Sequence, residues 1–183
     1  MKGRRSFLRL GATALALPFA LKLPAFASAP NTRLPDDRGL SFYNTHSGES
    51  ASVEYCRAGE LIPESLVKIN YILRDTLANE IKEIDVALLD LLVRLSLALA
   101  TQEPFHVISG YRSPSTNEYL RLHGRGGVAA HSLHLVGKAI DVRVPGVALR
   151  RLYKAAVDLG LGGVGIYASE DFIHVDTGRV RTW

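Results

Sequence analysis

Cysteine is nearly missing: Cys56 is the one cysteine in 183 residues. An internal disulfide is therefore excluded, and so is a four-ligand structural metal site of the cysteine-rich kind. Cys56 lies in the alternating stretch "SVEYCR" and is expected to be a small core side chain. Acidic residues are absent from residues 1–27, which carry Lys2, Arg4, Arg5, Arg9 and Lys22. Also lacking is an unbroken apolar run of the roughly 20 residues that a membrane span needs, because "GATALALPFALKLP" is interrupted by Pro18, Lys22 and Pro24. Residues 28–183 hold no internal repeat and no low-complexity segment.

What is present at the start reads as an export signal. Arg4 and Arg5, with Phe7 and Leu8 behind them, an apolar stretch and then "AFASA" resemble a twin-arginine leader cut near Ala27. The expected organisation is a signal at 1–27, a polar, flexible leader at 28–38 and one domain at 39–183. Setting the signal aside removes five of the 22 Lys and Arg and none of the 18 Asp and Glu, which leaves a net charge of about −1. The chain's positive balance thus belongs to the leader, and nucleic acid or an anionic membrane surface is not expected as a partner. A monomer is expected.

Periodicity supplies the elements. "LSFYNT" and "SVEYCR" flank "HSGE" as a hairpin with Gly48 in its turn, and a helix over 61–74 has Pro63 in its first turn. Asp85 is placed to cap a helix over about 86–100 that is apolar nearly all round and so central. "FHVIS" reads as a strand, "GYRSPSTNEYLRLH" as a turn and helix, and "KAIDVRV", "GGVGIY" and "DFIHVD" as strands, with a helix over about 147–159 between the first two of these. The fold class is α+β, a mostly antiparallel sheet with helices packed on one face.

The polar residues of two strands stand out against that pattern. In "KAIDVRV", Asp141 shares a face with Ala139 and Arg143 while Ile140, Val142 and Val144 point to the core. In "DFIHVD", His174 and Asp176 oppose Ile173 and Val175 in the same way. If the two strands pair, His174 approaches Asp141, and His134, one turn before its strand and ahead of Gly137, reaches the same place from above. Two readings are open on spacing alone. These are ordinary polar-face residues, or they are two imidazoles and a carboxylate around one catalytic zinc with a fourth position free.

"SLHLVGKAID", residues 132–141, matches the Ser-x-His-x-x-Gly-x-Ala-x-Asp signature of zinc peptidases related to D-alanyl-D-alanine carboxypeptidases, lysostaphin and the Hedgehog signalling domain. Together with "FYNTHSGE", "SGYRSPSTN" and "FIHVDTGRVRTW", it makes the chain similar to the murein endopeptidase K family across residues 39–183. The resemblance implies a Hedgehog-like, D-Ala-D-Ala-peptidase-like fold and one Zn2+ per chain held by His134, Asp141 and His174. It implies a periplasmic enzyme hydrolysing peptide cross-links of peptidoglycan, with diaminopimelate–diaminopimelate 3-3 links the expected substrate. Release of a terminal D-alanine, or a non-catalytic peptidoglycan-binding module, are the alternatives.

The same resemblance suggests further roles. Arg112 corresponds to an arginine gripping a substrate carboxylate or carbonyl, a task for a planar, bidentate donor. Ser132, Asp176 and His46 are further candidates for the substrate cleft, Ser132 through the turn at His134 and Asp176 also as an orienter of a ligand. The proton acceptor is expected at Asp171, where relatives with carboxypeptidase activity have a glutamate three residues before the last ligand. His131, Glu170 and Asp176 stand behind it, and Phe172 replaces the first histidine of the His-x-His pair found in other relatives. Tyr111 and Tyr167 are expected to flank the cleft, and Trp183 to pack back onto the domain or to touch glycan.

Overall fold

A computed structural model describes residues 33–124 and 128–183. The expected signal at 1–27 lies outside the described residues, as does most of the expected leader. Among the described residues no helix is long and apolar enough to cross a membrane.

The hairpin forms as read. β1 (Arg38–Asn44) and β2 (Ser50–Arg57) pair antiparallel, and Gly48 takes a positive φ of 72° in the turn between them. β1 begins inside the stretch assigned to the leader, and Asp36 and Asp37 already bond the turn after β2: Gly59 N–H donates to the Asp36 carbonyl and Ala58 N–H to Asp37 Oδ1. A two-residue strand, β3 (Glu60–Leu61), follows, too short for any period to reveal it.

α1 (Pro63–Ile72) carries Pro63 in its first turn, where a missing N–H costs nothing. α2 (Val86–Leu99) is capped by Asp85, whose side chain accepts from Ala87 N–H at 2.9 Å. Seven of its 14 residues are buried, so the all-round apolar pattern does mark the central helix. β4 (Phe105–Ser109), α3 (Pro114–His123), β5 (Ala139–Arg143), α4 (Leu149–Leu159), β6 (Gly163–Tyr167), β7 (Phe172–Asp176) and the short β8 (Arg181–Thr182) complete the chain.

The architecture is α+β, with four helices and one mixed eight-stranded sheet in the order β3-β2-β1-β4-β5-β7-β6-β8. β1 with β4 and β6 with β8 are parallel, and the other neighbours are antiparallel. One face of the sheet, through Phe42, Phe105, Ile140, Val142, Ile173 and Val175, joins α1, α2 and α4 in a single core. α3 departs from the expectation of helices on one face. It adds no residue to that core; its buried Thr116 and Asn117 are polar, and Thr116 lines a hollow with Asp141 on the opposite side of the sheet. The open sheet face is thus half roofed, and the space beneath α3 is where polar side chains collect.

Candidate metal centre and cleft

Asp141 and His174 are the polar, alternate residues of two strands that do pair. β5 and β7 run antiparallel with Asp141 directly opposite His174, and Oδ1 and Nδ1 lie 2.8 Å apart. His134 arrives on a 3₁₀ turn, Leu133–Val136, capped by Ser132, whose Oγ accepts from His134 N–H at 3.4 Å. Gly137 ends that turn at φ +66°, and a Cβ there would lie 2.2 Å from the Glu83 carbonyl oxygen. Only glycine meets both conditions, which gives the Gly of the 132–141 motif its physical reason.

The three side chains are buried, and their ligand atoms converge. His134 Nε2 lies 3.2 Å from His174 Nδ1 and 3.3 Å from Asp141 Oδ1. Zinc bonds of about 2.0–2.2 Å in a tetrahedron set neighbouring ligand atoms about 3.3 Å apart. The observed triangle has that size.

Hydrogen bonds behind the rings decide which nitrogens face inward. His134 Nδ1 is 2.7 Å from the Gly110 carbonyl, which can only accept, so Nδ1 carries the proton and Nε2 presents its lone pair. His174 Nε2 lies 3.0 Å from Asp176 Oδ2. Burial pushes the Asp176 carboxyl up, but His174, Arg181 and the N–H groups of Gly178 and Gly163 outweigh it and hold the group well below the usual carboxylate range. Asp176 is therefore ionised, Nε2–H donates to it, and Nδ1 is left for the centre. Asp141 is likewise pushed up by burial and drawn down further by His134 and His174. Three acceptors this close repel one another unless a proton or a cation lies between them. The donor set, two imidazoles and one carboxylate, suits a borderline-soft divalent ion such as zinc.

Arg112 borders the group. Its Nη2 is 3.1 Å from Ser109 Oγ and 3.4 Å from Asp141 Oδ2, while its buried Nε has no partner. Two hollows meet at Arg112, Asp141 and Phe172. One, of about 380 Å3, contains His134, His174, Ser132, His131 and Glu170; the other, of about 280 Å3, contains His46, Tyr111 and Arg74. Tyr167 stacks on Phe172 at 4.6 Å between centroids and shares the larger hollow with Trp183.

Two expectations need correction. Asp171 does not line either hollow. It sits at φ +56°, half a turn away from the strand's polar face, with its carboxylate 3.5 Å from Arg143 in a separate depression beside His106. Its αL backbone, which alternation cannot foresee, turns it aside. Asp176 is fully buried behind His174, with both oxygens taken by Arg181, His174 and backbone N–H groups, so it has no face toward a substrate. Arg181 and the Gly110 carbonyl were given no role from sequence. A carbonyl partner leaves no sequence signal at all, whereas Arg181 had one in its spacing from Trp183.

Two imidazoles and a carboxylate converging in an open cleft on a half-roofed α+β sheet define the class, a protein built around a candidate mononuclear metal centre of the hydrolase type. The chain belongs to the Peptidase_M15_2 family, described as Peptidoglycan L,D-endopeptidase MepK, which matches residues 32–183. It is 44% identical over 180 residues to the Peptidoglycan L,D-endopeptidase MepK of Escherichia coli (strain K12), covering 98% of this chain and 96% of that protein. A Probable peptidoglycan L,D-endopeptidase MepK from Haemophilus influenzae is 40% identical over 188 residues, covering 100% and 96%.

Proposed function

We propose that this protein is a zinc-dependent peptidoglycan endopeptidase that hydrolyses diaminopimelate–diaminopimelate 3-3 cross-links in the periplasm. The observation that carries the proposal is the triangle of ligand atoms on His134, Asp141 and His174, each oriented from behind by a hydrogen bond or an ion pair. A zinc ion held there would lower the pKa of its water toward about 7 and polarise the scissile carbonyl.

The chain's own residues supply the rest. Arg112 offers its unpartnered Nε and the edge of its guanidinium to a carboxylate or carbonyl of the cross-link. Glu170, which borders the larger hollow, accepts the proton of the attacking water, with His131 beside it as the nearest substitute. Ser132 and His46 line the two hollows and contact the peptide on either side. Space on both sides of Asp141 suits an endopeptidase, which must admit chain in both directions; a carboxypeptidase needs only one open end.

Export is part of the proposal. Residues 1–27, with Arg4 and Arg5, direct the chain through the twin-arginine pathway, and names given to the relatives point to a substrate outside the cytoplasm. The test is digestion of purified 3-3 and 4-3 cross-linked muropeptides by zinc-loaded protein, with products identified by mass. Conversion of 3-3 dimers to monomers, abolished by chelator and restored by zinc, is expected. Release of free D-alanine alone would replace the endopeptidase by a carboxypeptidase, and binding of sacculi with no bond cut would leave a binding module.

A further inference from the structure

Strand β6 lies between β7 and β8, and its residues on the open face of the sheet are glycines. Gly165 is directly opposite His174 in β7, and on its other side the chain continues from β8 into Trp183. Gly163 is opposite Arg181 in β8 and donates its N–H to Asp176 Oδ1 at 3.1 Å. Two rows therefore cross the three strands: Asp176, Gly163, Arg181 and His174, Gly165, Trp183.

Side chains two strands apart are separated by about 9–10 Å at their backbones and do not normally touch. Here they do, because the middle strand has no side chains in the way. A Cβ on Gly163 would lie 2.3 Å from Arg181 Nη1 and 2.5 Å from Asp176 Oδ2; one on Gly165 would lie 2.5 Å from the Trp183 indole. Neither glycine has a positive φ, so no backbone demand accounts for either. Space does. Over Gly163, Arg181 forms a fork on Asp176, Nη2 to Oδ2 at 2.7 Å and Nη1 to Oδ1 at 3.1 Å. Over Gly165, the Trp183 ring approaches the His174 imidazole with centroids 5.2 Å apart, and its Nε1–H donates to Tyr167 Oη at 3.1 Å. Arg181 also stacks on Trp183, 4.8 Å from its centroid, which ties the two rows together.

We propose that Arg181 and Trp183, lying across a glycine shelf made by Gly163 and Gly165, are positioning residues that fix the orientation of His174 and present its Nδ1 to the metal. Arg181 acts through Asp176, keeping that carboxylate ionised and aimed at Nε2–H; Trp183 acts by closing the space into which the imidazole would otherwise rotate. The inference rests on the zinc reading above. It explains four residues, in the patterns Gly-x-Gly and Arg-x-Trp, that the metal triangle leaves unassigned.

The experiment is equilibrium competition of the purified protein for zinc against a chelator, together with the visible spectrum of the cobalt-substituted protein. Circular dichroism and the thermal midpoint report the fold of each variant. Arg181→Gln and Trp183→Ala are each expected to weaken zinc by about 10–100-fold, the range for loss of a ligand-orienting partner, and to alter the cobalt spectrum. Gly165→Ala removes no polar group, yet it expels the indole and should mimic Trp183→Ala. Arg181→Lys and Trp183→Phe should retain intermediate affinity, and they decide the question if the harsher variants do not fold. Wild-type zinc affinity and an unchanged cobalt spectrum in folded Gly165→Ala and Arg181→Lys would overturn the proposal. If the unaltered protein takes up no zinc, the metal reading itself falls, which separates the two failures.

Discussion

Asp141 and His174 face each other as a directly paired couple on neighbouring antiparallel strands, Oδ1 to Nδ1 2.8 Å. Asp141 also divides its two oxygens, Oδ1 toward the histidines and Oδ2 toward Arg112 at 3.4 Å. Asp141→Asn keeps the shape and removes the charge. It is expected to loosen zinc by more than the ~10–100-fold that follows loss of a merely orienting residue and to abolish cross-link hydrolysis. Chelator competition and muropeptide digestion read both, and an asparagine variant with unaltered zinc affinity would remove Asp141 from the ligand set.

Arg112 is buried with one donor unused, in a position shared by both hollows. A hydrogen bond to a charged group is worth about 1.5–3 kcal/mol, so Arg112→Ala is expected to lower kcat/KM by roughly 10- to 150-fold, mainly through KM. Arg112→Lys should recover little, because an ammonium cannot make the planar, two-pronged contact. Steady-state kinetics on a 3-3 linked dimer check this; an unchanged KM in both variants would leave Arg112 a support for Asp141 alone.

The acceptor of the water's proton separates two neighbouring carboxylates. Glu170→Gln is expected to reduce kcat by about 10²–10⁴-fold with zinc retained. Asp171→Asn should stay near wild type, since that carboxylate faces Arg143 in another depression. The opposite ranking would return the role to Asp171 and require the β6–β7 turn to rearrange on substrate binding.

Asp75 offers a pH test away from the metal. Burial pushes its carboxyl up, but bonds from Thr116, Ser113 and Ala78 more than offset this, and its pKa ends below the ordinary value. Oδ2 accepts from Ser113 N–H at 2.8 Å, next to Arg112, and Oδ1 from the N–H groups of Leu77 and Ala78. A depressed pKa means that the stabilisation is fully present above the unfolded value of about 3.9. It is lost as pH falls from there through the lower folded value. Asp75→Ala leaves buried N–H groups unpaired and is expected to cost about 2–3 kcal/mol at pH 7. In denaturant titrations the difference from wild type should shrink below about pH 4; a difference independent of pH would mean that packing, not charge, is what Asp75 contributes.

Much of the fold could be read residue by residue. The period of two in "KAIDVRV" and "DFIHVD" separates core from polar face in both β5 and β7. The apolar circumference of 86–99 marks α2 as central, and Asp85 and Pro63 mark two helix starts. The strands β3 and β8 have two residues each, too few for any period to emerge, and β8 exists because β6 is there to pair with it. α3 was legible as a helix but not as the roof of the cleft, since its buried face is polar and reads as a solvated one.

The site divides along the same line. Local chemistry in the chain determined which residues can be ligands and why Gly137 must follow His134, because side-chain alternation and positive φ depend on a few neighbouring residues. Tertiary structure alone decided that β5 lies beside β7, that the Gly110 carbonyl and Asp176 choose which nitrogens face inward, and that Asp171 turns away while Arg181 and Trp183 reach across two glycines. Those are contacts between segments far apart in the chain, and their energies exist only once the sheet has brought the segments together.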